Sequence, residues 1–159
     1  MKPIILTLIL VILVTPAVCF GEWIEEGSTV TGNTFHIDYE RIREHDGHVY
    51  FWMLMDNLKP DSEGFMSGTM YYQVNCDLFR FKRLSMNHYK QPMGKGDIRS
   101  TENEPWVSEK KWNYPSPDST NEALLEEACD YVKLDEEGRQ EELEQKRYFL
   151  KIIKESEVQ

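Results

Sequence analysis

The run from His48 to Asp56 constrains the fold of this chain more than any other stretch. Val49, Phe51, Met53 and Met55 alternate there with Tyr50, Trp52 and Leu54, so an extended strand at this place is apolar on both faces. Such a strand is expected at the centre of a sheet, covered on both sides. Shorter alternating runs flank it. Thr34 to Asp38 places Phe35 and Ile37 on one face, and Thr69 to Asn75 sets Met70, Tyr72 and Val74, with Cys76 beyond, against Tyr71, Gln73 and Asn75. Leu78 to Leu84 sets Phe79 and Phe81 inward against Arg80 and Lys82. Gly32-Asn33, Asp46-Gly47 and the loop from Asn57 to Gly64 punctuate these runs as turns. Half-buried alternation in successive short strands predicts an antiparallel meander.

After Pro115-Ser116-Pro117-Asp118 the pattern changes period. Ser119 and Glu122 form an S-x-x-E capping box, and behind it Leu125, Ala128, Cys129 and Val132 share one helical face. A helix with that face lies on a sheet, and its Cys129 then meets Cys76 on the inward side of its strand. Residues 133–159 form a charged tail with Leu143, Tyr148, Phe149, Leu150, Ile152 and Ile153 as anchors, expected as a second amphipathic helix beginning after Gly138. These anchors dock on the same domain, dock on a second copy or fray at the end; the coiled-coil-like intervals of Leu143, Leu150 and Ile153 are the argument for a homodimer, although the stretch is too short to hold a coiled coil alone. The fold class is therefore α+β: an antiparallel β-sheet meander, a C-terminal helix packed on it through a disulfide, and an extra charged C-terminal helix.

At the other end, Lys2 precedes an apolar stretch from Ile4 to Val14 that Pro16 stops short of a membrane span. This is the order of a signal peptide, residues 1–21, cut after Gly21. Cys19 invites a lipid-anchor reading, but Val18 and Pro16 stand where a lipidation motif has a small residue and a leucine. Membrane anchoring is accordingly not expected. In an exported chain the remaining pair, Cys76 and Cys129, reads as a disulfide. A metal site and a catalytic thiol are the other readings of cysteines, and both lack neighbours: His36, His45, His48 and His88 stand at no ligand-like spacing from either, and no base lies nearby.

Acidic and basic residues number 28 and 18, for a net charge of −10, which argues against nucleic acid or an anionic membrane as a partner, since either calls for clustered Lys and Arg to meet phosphates. Enzyme signatures are poor. Pro92-Met93-Gly94-Lys95-Gly96 lacks the strand-to-helix setting and Gly-Lys-Ser/Thr ending of a phosphate loop, and its glycines suit a sharp turn. His45-Asp46-Gly47-His48 reads as a hairpin turn with solvated histidines. Asp38 with Glu40, and Glu44 with His45, are acid/base pairs of the kind any acidic chain contains. No cofactor, metal or catalytic residue is assigned. Aromatic residues make up 12% of the chain, and Tyr50, Trp52, Tyr71, Tyr72 and Tyr89 stand near sheet surfaces, where they serve either ligand binding or ordinary sheet packing.

Taken in order, Trp23, Thr34-Phe35-His36-Ile37-Asp38, Trp52-Met53-Leu54-Met55-Asp56, Val74-Asn75-Cys76 with Arg80 and Lys82-Arg83-Leu84, the turn Pro92 to Gly96, Trp106, and a Pro/Ser stretch leading to Leu125 and Cys129 form a recognisable set. Over roughly Trp23 to Val132 it resembles the surface-adhesin protein E family of Gram-negative bacteria. The resemblance implies an antiparallel sheet joined to a C-terminal helix by one disulfide. It also implies a binding module of the cell surface or envelope that attaches to host matrix and serum proteins. Three features depart from it: the poor lipidation motif, Asn75 where an acidic residue often precedes the cysteine, and the tail beyond Lys133. The expected organisation is a signal peptide (1–21), a protein E-like domain (22–132) and a charged helical tail (133–159). The expected function is an exported, non-enzymatic module for a protein ligand in periplasm, outer surface or medium, its ligand-binding residues unassigned. The alternative is a periplasmic structural or accessory envelope protein, homodimeric and without adhesive role.

Overall fold

The computed structural model describes residues 22–101 and 111–156. The signal-peptide reading of residues 1–21, Cys19 included, and Trp106 lie outside the described residues. The strands are β1 (Trp23–Ser28), β2 (Thr34–Asp38), β3 (Arg43–His45), β4 (His48–Asp56), β5 (Ser67–Asn75), β6 (Arg80–Gln91) and β7 (Lys95–Ser100), with a 3-10 turn at Tyr39–Arg41. Two helices follow, α1 (Thr120–Lys133) and α2 (Glu136–Ser156). The strands form one antiparallel sheet in the order β1-β2-β4-β5-β6-β7, with β3 paired on β4. Sequence neighbours are mostly sheet neighbours, as a meander requires.

β4 is central, but its two faces are covered differently. Val49, Phe51 and Met53 are buried with Ile24, Ile37, Met70, Tyr72, Val74 and Phe81 beneath Leu124, Leu125, Ala128, Cys129 and Tyr131 of α1. On the other face only Leu54 is fully buried, while Tyr50 and Trp52 stay half-buried. The expectation of cover on both sides is thus corrected: both helices belong to one side, and on the open side the aromatic rings shield one another. Leu54 is covered by the β6–β7 turn, where a Cβ on Gly94, at φ +68°, would come within 3.3 Å of its Cδ1. Position 94 therefore needs glycine for both backbone and space. Met93 N donates to Asp56 Oδ1 at 2.7 Å and Gly94 N to Ser67 Oγ at 3.0 Å, fixing that turn against the sheet.

Three boundaries differ from the sequence expectation. Leu78 and Phe79 lie in the turn before β6, Phe79 at φ +44°, and β6 then runs on to Gln91 with Leu84 as an extra residue opposite Tyr71 and Tyr72. That bulge changes the inward phase from Phe81 to Met86, which no uniform alternation shows. β7, exposed at every residue, has no burial pattern to betray it. α2 begins at Glu136, ahead of Gly138, because Asp135 Oδ1 accepts the Gly138 N–H at 2.9 Å and caps the first turn.

α1 starts at the expected cap, Ser119, whose Oγ accepts from Glu122 N at 3.2 Å, but the return bond of the capping box is shifted by one residue: Glu122 Oε2 accepts from Asp118 N at 2.7 Å, while Ser119 N donates to Ser116 O. Cys129, on its inward face, is bonded to Cys76 at the end of β5. α2 docks on its own domain. Leu143 and Leu150 pack on the core, Arg139 donates to Val132 O at 2.7 Å, and Lys146 reaches Glu26 and Glu127 at 3.0 Å each. The heptad-spaced Leu143 and Leu150 are thereby engaged within the chain, while Tyr148, Phe149, Ile152 and Ile153 remain exposed. Among the described residues no helix is long and apolar enough to cross a membrane.

Candidate binding surface

The open face of the sheet carries the clearest arrangement of side chains. Trp52 and Tyr71 are direct cross-strand partners, and their rings stack at 4.7 Å and 22°, with Tyr50 tilted against Tyr71 at 6.1 Å. Each such pair contributes about 1 kcal/mol beyond its buried area, so the rings hold one orientation before any ligand arrives. Arg41 extends the strip. The Asp38 carboxylate, fully buried, accepts from Arg41 N at 3.2 Å and from Arg41 Nε at 2.5 Å, capping the 3-10 turn and aiming the guanidinium. That guanidinium lies 5.5 Å from the Trp23 ring and 5.8 Å from the Trp52 ring, within cation–π range of both.

At the other end of β4, His48 stacks on Trp112 at 5.6 Å, and Arg80 and Lys82 lie over the same indole at 4.5 and 4.3 Å. Past Trp23 the surface falls into an open groove of about 840 Å³ between β1 and α2, lined by Trp23 and Leu150, by the cations Arg147, Lys151 and Lys154, and by Glu22 and Glu155. The line of side chains, Trp23, Arg41, Trp52, Tyr71 and Tyr50, is made of the residue types that dominate binding energy at protein interfaces: large rings that lose little entropy, and an arginine already held in place.

Of the five aromatics singled out from the sequence, Tyr50, Trp52 and Tyr71 come together here. Tyr72 is a core residue stacked on Phe51, and burial raises its hydroxyl pKa, keeping it neutral. Tyr89 is on the open face but apart from the strip, its hydroxyl 3.4 Å from Thr69 Oγ1. The acid/base pairs do not form sites. Asp38 is the buried cap of a turn, and Glu40 is exposed and bonded to Arg147 at 3.4 Å. Glu44 and His45 point away from each other as neighbours on a strand must, with His45 paired to Asp46 at 3.2 Å in solvent. Among the described residues no three His, Cys, Asp or Glu side chains converge as metal ligands. Arg41 and Trp112 escaped the sequence reading. Asp38-x-x-Arg41 carries an N-cap signal for the turn that places Arg41, whereas nothing local announces that Trp112 folds back over Arg80 and Lys82.

A second polar cluster lies under α2. The Tyr39 hydroxyl stands 2.8 Å from Glu26 Oε1 and 2.6 Å from Glu127 Oε1, so one hydroxyl hydrogen is shared between two carboxylates, and Lys146 contacts both. Burial drives the Tyr39 pKa far up, and the Glu127 hydrogen bond adds to it. The phenol therefore stays a donor, and the cluster staples β1, α1 and α2 together.

A family model described as surface-adhesin protein E matches residues 23–130. Two solved structures share the fold. A crystal structure of protein E from non-typeable Haemophilus influenzae is 18% identical, with a TM-score of 0.54 over 82% of this chain and 92% of that one. A further structure of Haemophilus influenzae protein E is 19% identical, with a TM-score of 0.51 over 77% and 96%. No curated protein matches the chain.

Proposed function

The chain belongs to the surface-adhesin protein E family, and from that premise we propose that it is an exported, non-enzymatic binding module that attaches to a host matrix or serum protein through the open face of its sheet. Residues 22–132 form the binding domain in this reading, residues 1–21 direct export, and residues 133–159 are an added tail. The observation that carries it is the strip Trp23, Arg41, Trp52, Tyr71 and Tyr50, half-buried rings and a guanidinium held in mutual contact on the one face the helices leave open. Because the strip is organised before binding, a partner meets it with little ordering cost. The test is capture of the mature protein on immobilised matrix and serum proteins. Trp52→Ala and Arg41→Ala are expected to weaken capture more than tenfold, about the loss of one interfacial anchor, while the far-ultraviolet circular dichroism is retained. Capture by neither matrix nor serum protein, or capture indifferent to both substitutions, sinks the proposal.

A further inference from the structure

The pairing register collects cations at one end of the open face. Arg43, Tyr50, Gln73 and Lys82 are successive partners across β3, β4, β5 and β6, so they form one row on one side of the sheet. That side is the open one, since Phe51, Tyr72 and Phe81, the chain neighbours of Tyr50, Gln73 and Lys82, point into the core. Arg80, the partner of Asn75, stands in the next row, two residues along β6 from Lys82. Neighbouring strands lie about 4.8 Å apart, which sets Arg43 and Lys82 about 14 Å from each other with Tyr50 and Gln73 between them. None of Arg43, Arg80 and Lys82 makes an ion pair among the described residues, unlike Arg41, which is tied to the buried Asp38. The Trp112 indole holds Arg80 and Lys82 at 4.5 and 4.3 Å, and a ring face fixes a cation without cancelling its charge. The carboxylates nearest in sequence leave them alone: Glu44, partner of Val49, is on the other side of β3, and Asp46 is tied to His45 in the turn. A chain of net charge −10 thus presents a patch of the opposite sign on its open face.

Building on the open face as the binding surface, we propose that this end of it receives an acidic segment of a protein partner, with carboxylates on Arg43, Arg80 and Lys82 and apolar side chains on Tyr50 and the adjoining Tyr71 and Trp52. Arginine presents a planar fork that matches a carboxylate, and clusters of it read acidic motifs. The stacked rings beside the cations are anchors of the kind protein interfaces use. A long polyanion, whether nucleic acid or sulfated glycan, fits less well. It would run beyond a patch about 14 Å wide onto a surface of net negative charge, whereas a short acidic segment ends where the patch ends.

Fluorescence anisotropy of the mature full-length chain with a labelled synthetic peptide of repeating Glu-Tyr units tests the assignment, beside the same peptide with Gln for Glu and beside labelled heparin. The Glu-Tyr peptide is expected to bind and the Gln-Tyr peptide not to, with an affinity that falls as salt rises. Arg80→Gln with Lys82→Gln should weaken binding about tenfold, at about threefold per part-exposed ion pair. Arg43→Glu should weaken it too without moving the thermal midpoint, because that side chain is exposed and holds no ion pair among the described residues. Absence of wild-type binding to the Glu-Tyr peptide overturns the proposal, as does heparin binding more tightly than the peptide at the same three cations. Peptide binding that Trp52→Ala removes and the cation substitutions leave unchanged overturns the acidic partner while the open face stands as the binding surface. Peptide binding that the cation substitutions weaken upholds it whether or not a matrix or serum protein is captured.

Discussion

Lys146 is the single cation among Glu26, Glu127 and Glu142, at 3.0, 3.0 and 3.8 Å, and its side chain is only 21% exposed. Burial holds the Glu26 carboxyl above its ordinary value of 4.5 although Lys146 pulls the other way, and burial with the Glu127 hydrogen bond raises Glu142 too. Burial also works to raise Glu127, but hydrogen bonds from Tyr39 and Lys146 outweigh it and hold that carboxyl lower. The signs oppose one another. What Glu26 and Glu142 contribute is fully present below 4.5 and is lost as pH rises through their raised folded values, whereas the Glu127 contribution is present above 4.5 and is lost as pH falls through its lowered value. Glu26→Gln should therefore flatten the part of the stability profile that declines above 4.5, read by urea midpoints across pH, and an unchanged slope refutes that sign. Lys146→Met, leaving buried carboxylates on one tyrosine hydroxyl, should cost about 2 kcal/mol, partly restored when Glu26→Gln is added. Little of this was legible beforehand. Glu26 turns under α2 because it is the extra residue of a bulge in β1 between Glu25 and Gly27, and a bulge leaves no mark in alternation.

At the scale of elements, β5 and α1 are joined twice, by packing and by covalent bond. The Cys76–Cys129 bond closes a loop of 53 residues, for which chain entropy gives about 4 kcal/mol. Leu124, Leu125, Ala128 and Tyr131 stay buried without it, so Cys129→Ser should still fold but melt about 15 °C lower. Reductant should move the wild type by the same amount and the variant not at all. A wild-type melt indifferent to reductant contradicts this. These elements were the readable part of the sequence because one period fixed each of them. Period two set Met70 and Val74 on the face opposite Tyr71, the helical period put Cys129 inward, and Ser119 with Glu122 marked where α1 starts. β7 was not readable, because alternation records burial and none of its residues is buried. The open-face strip was half readable: Trp52 and Tyr71 follow from their strands, whereas Arg41 follows from a turn whose cap, Asp38, looked like any other acid.

As a whole molecule the protein carries both helices, among the described residues, on one side of the sheet, and its stability is distributed accordingly. β4 and β5 have strands on both sides, the core beneath and the disulfide at one end, while β7 and the last turns of α2 have few buried neighbours. Amide hydrogen exchange should accordingly be slowest in Phe51–Met53 and Met70–Val74 and fastest in Lys95–Ser100 and Ile152–Ser156. Protection of β7 equal to that of β5 goes against this ordering. The two borders of the sheet also face different hazards. A strand at a sheet border offers unpaired amides to any passing chain, and an exported protein folds among many unfolded ones. β7 is six residues long and carries Lys95, Asp97 and Arg99 on alternate positions, which disfavours pairing with a stranger. β1 is interrupted by its bulge at Glu26 and is further covered by α2, clamped along it by Lys146 and Arg147. Losing α2 therefore does more than shorten the chain: it leaves the bulge and two glutamates as what keeps β1 from pairing with a stranger.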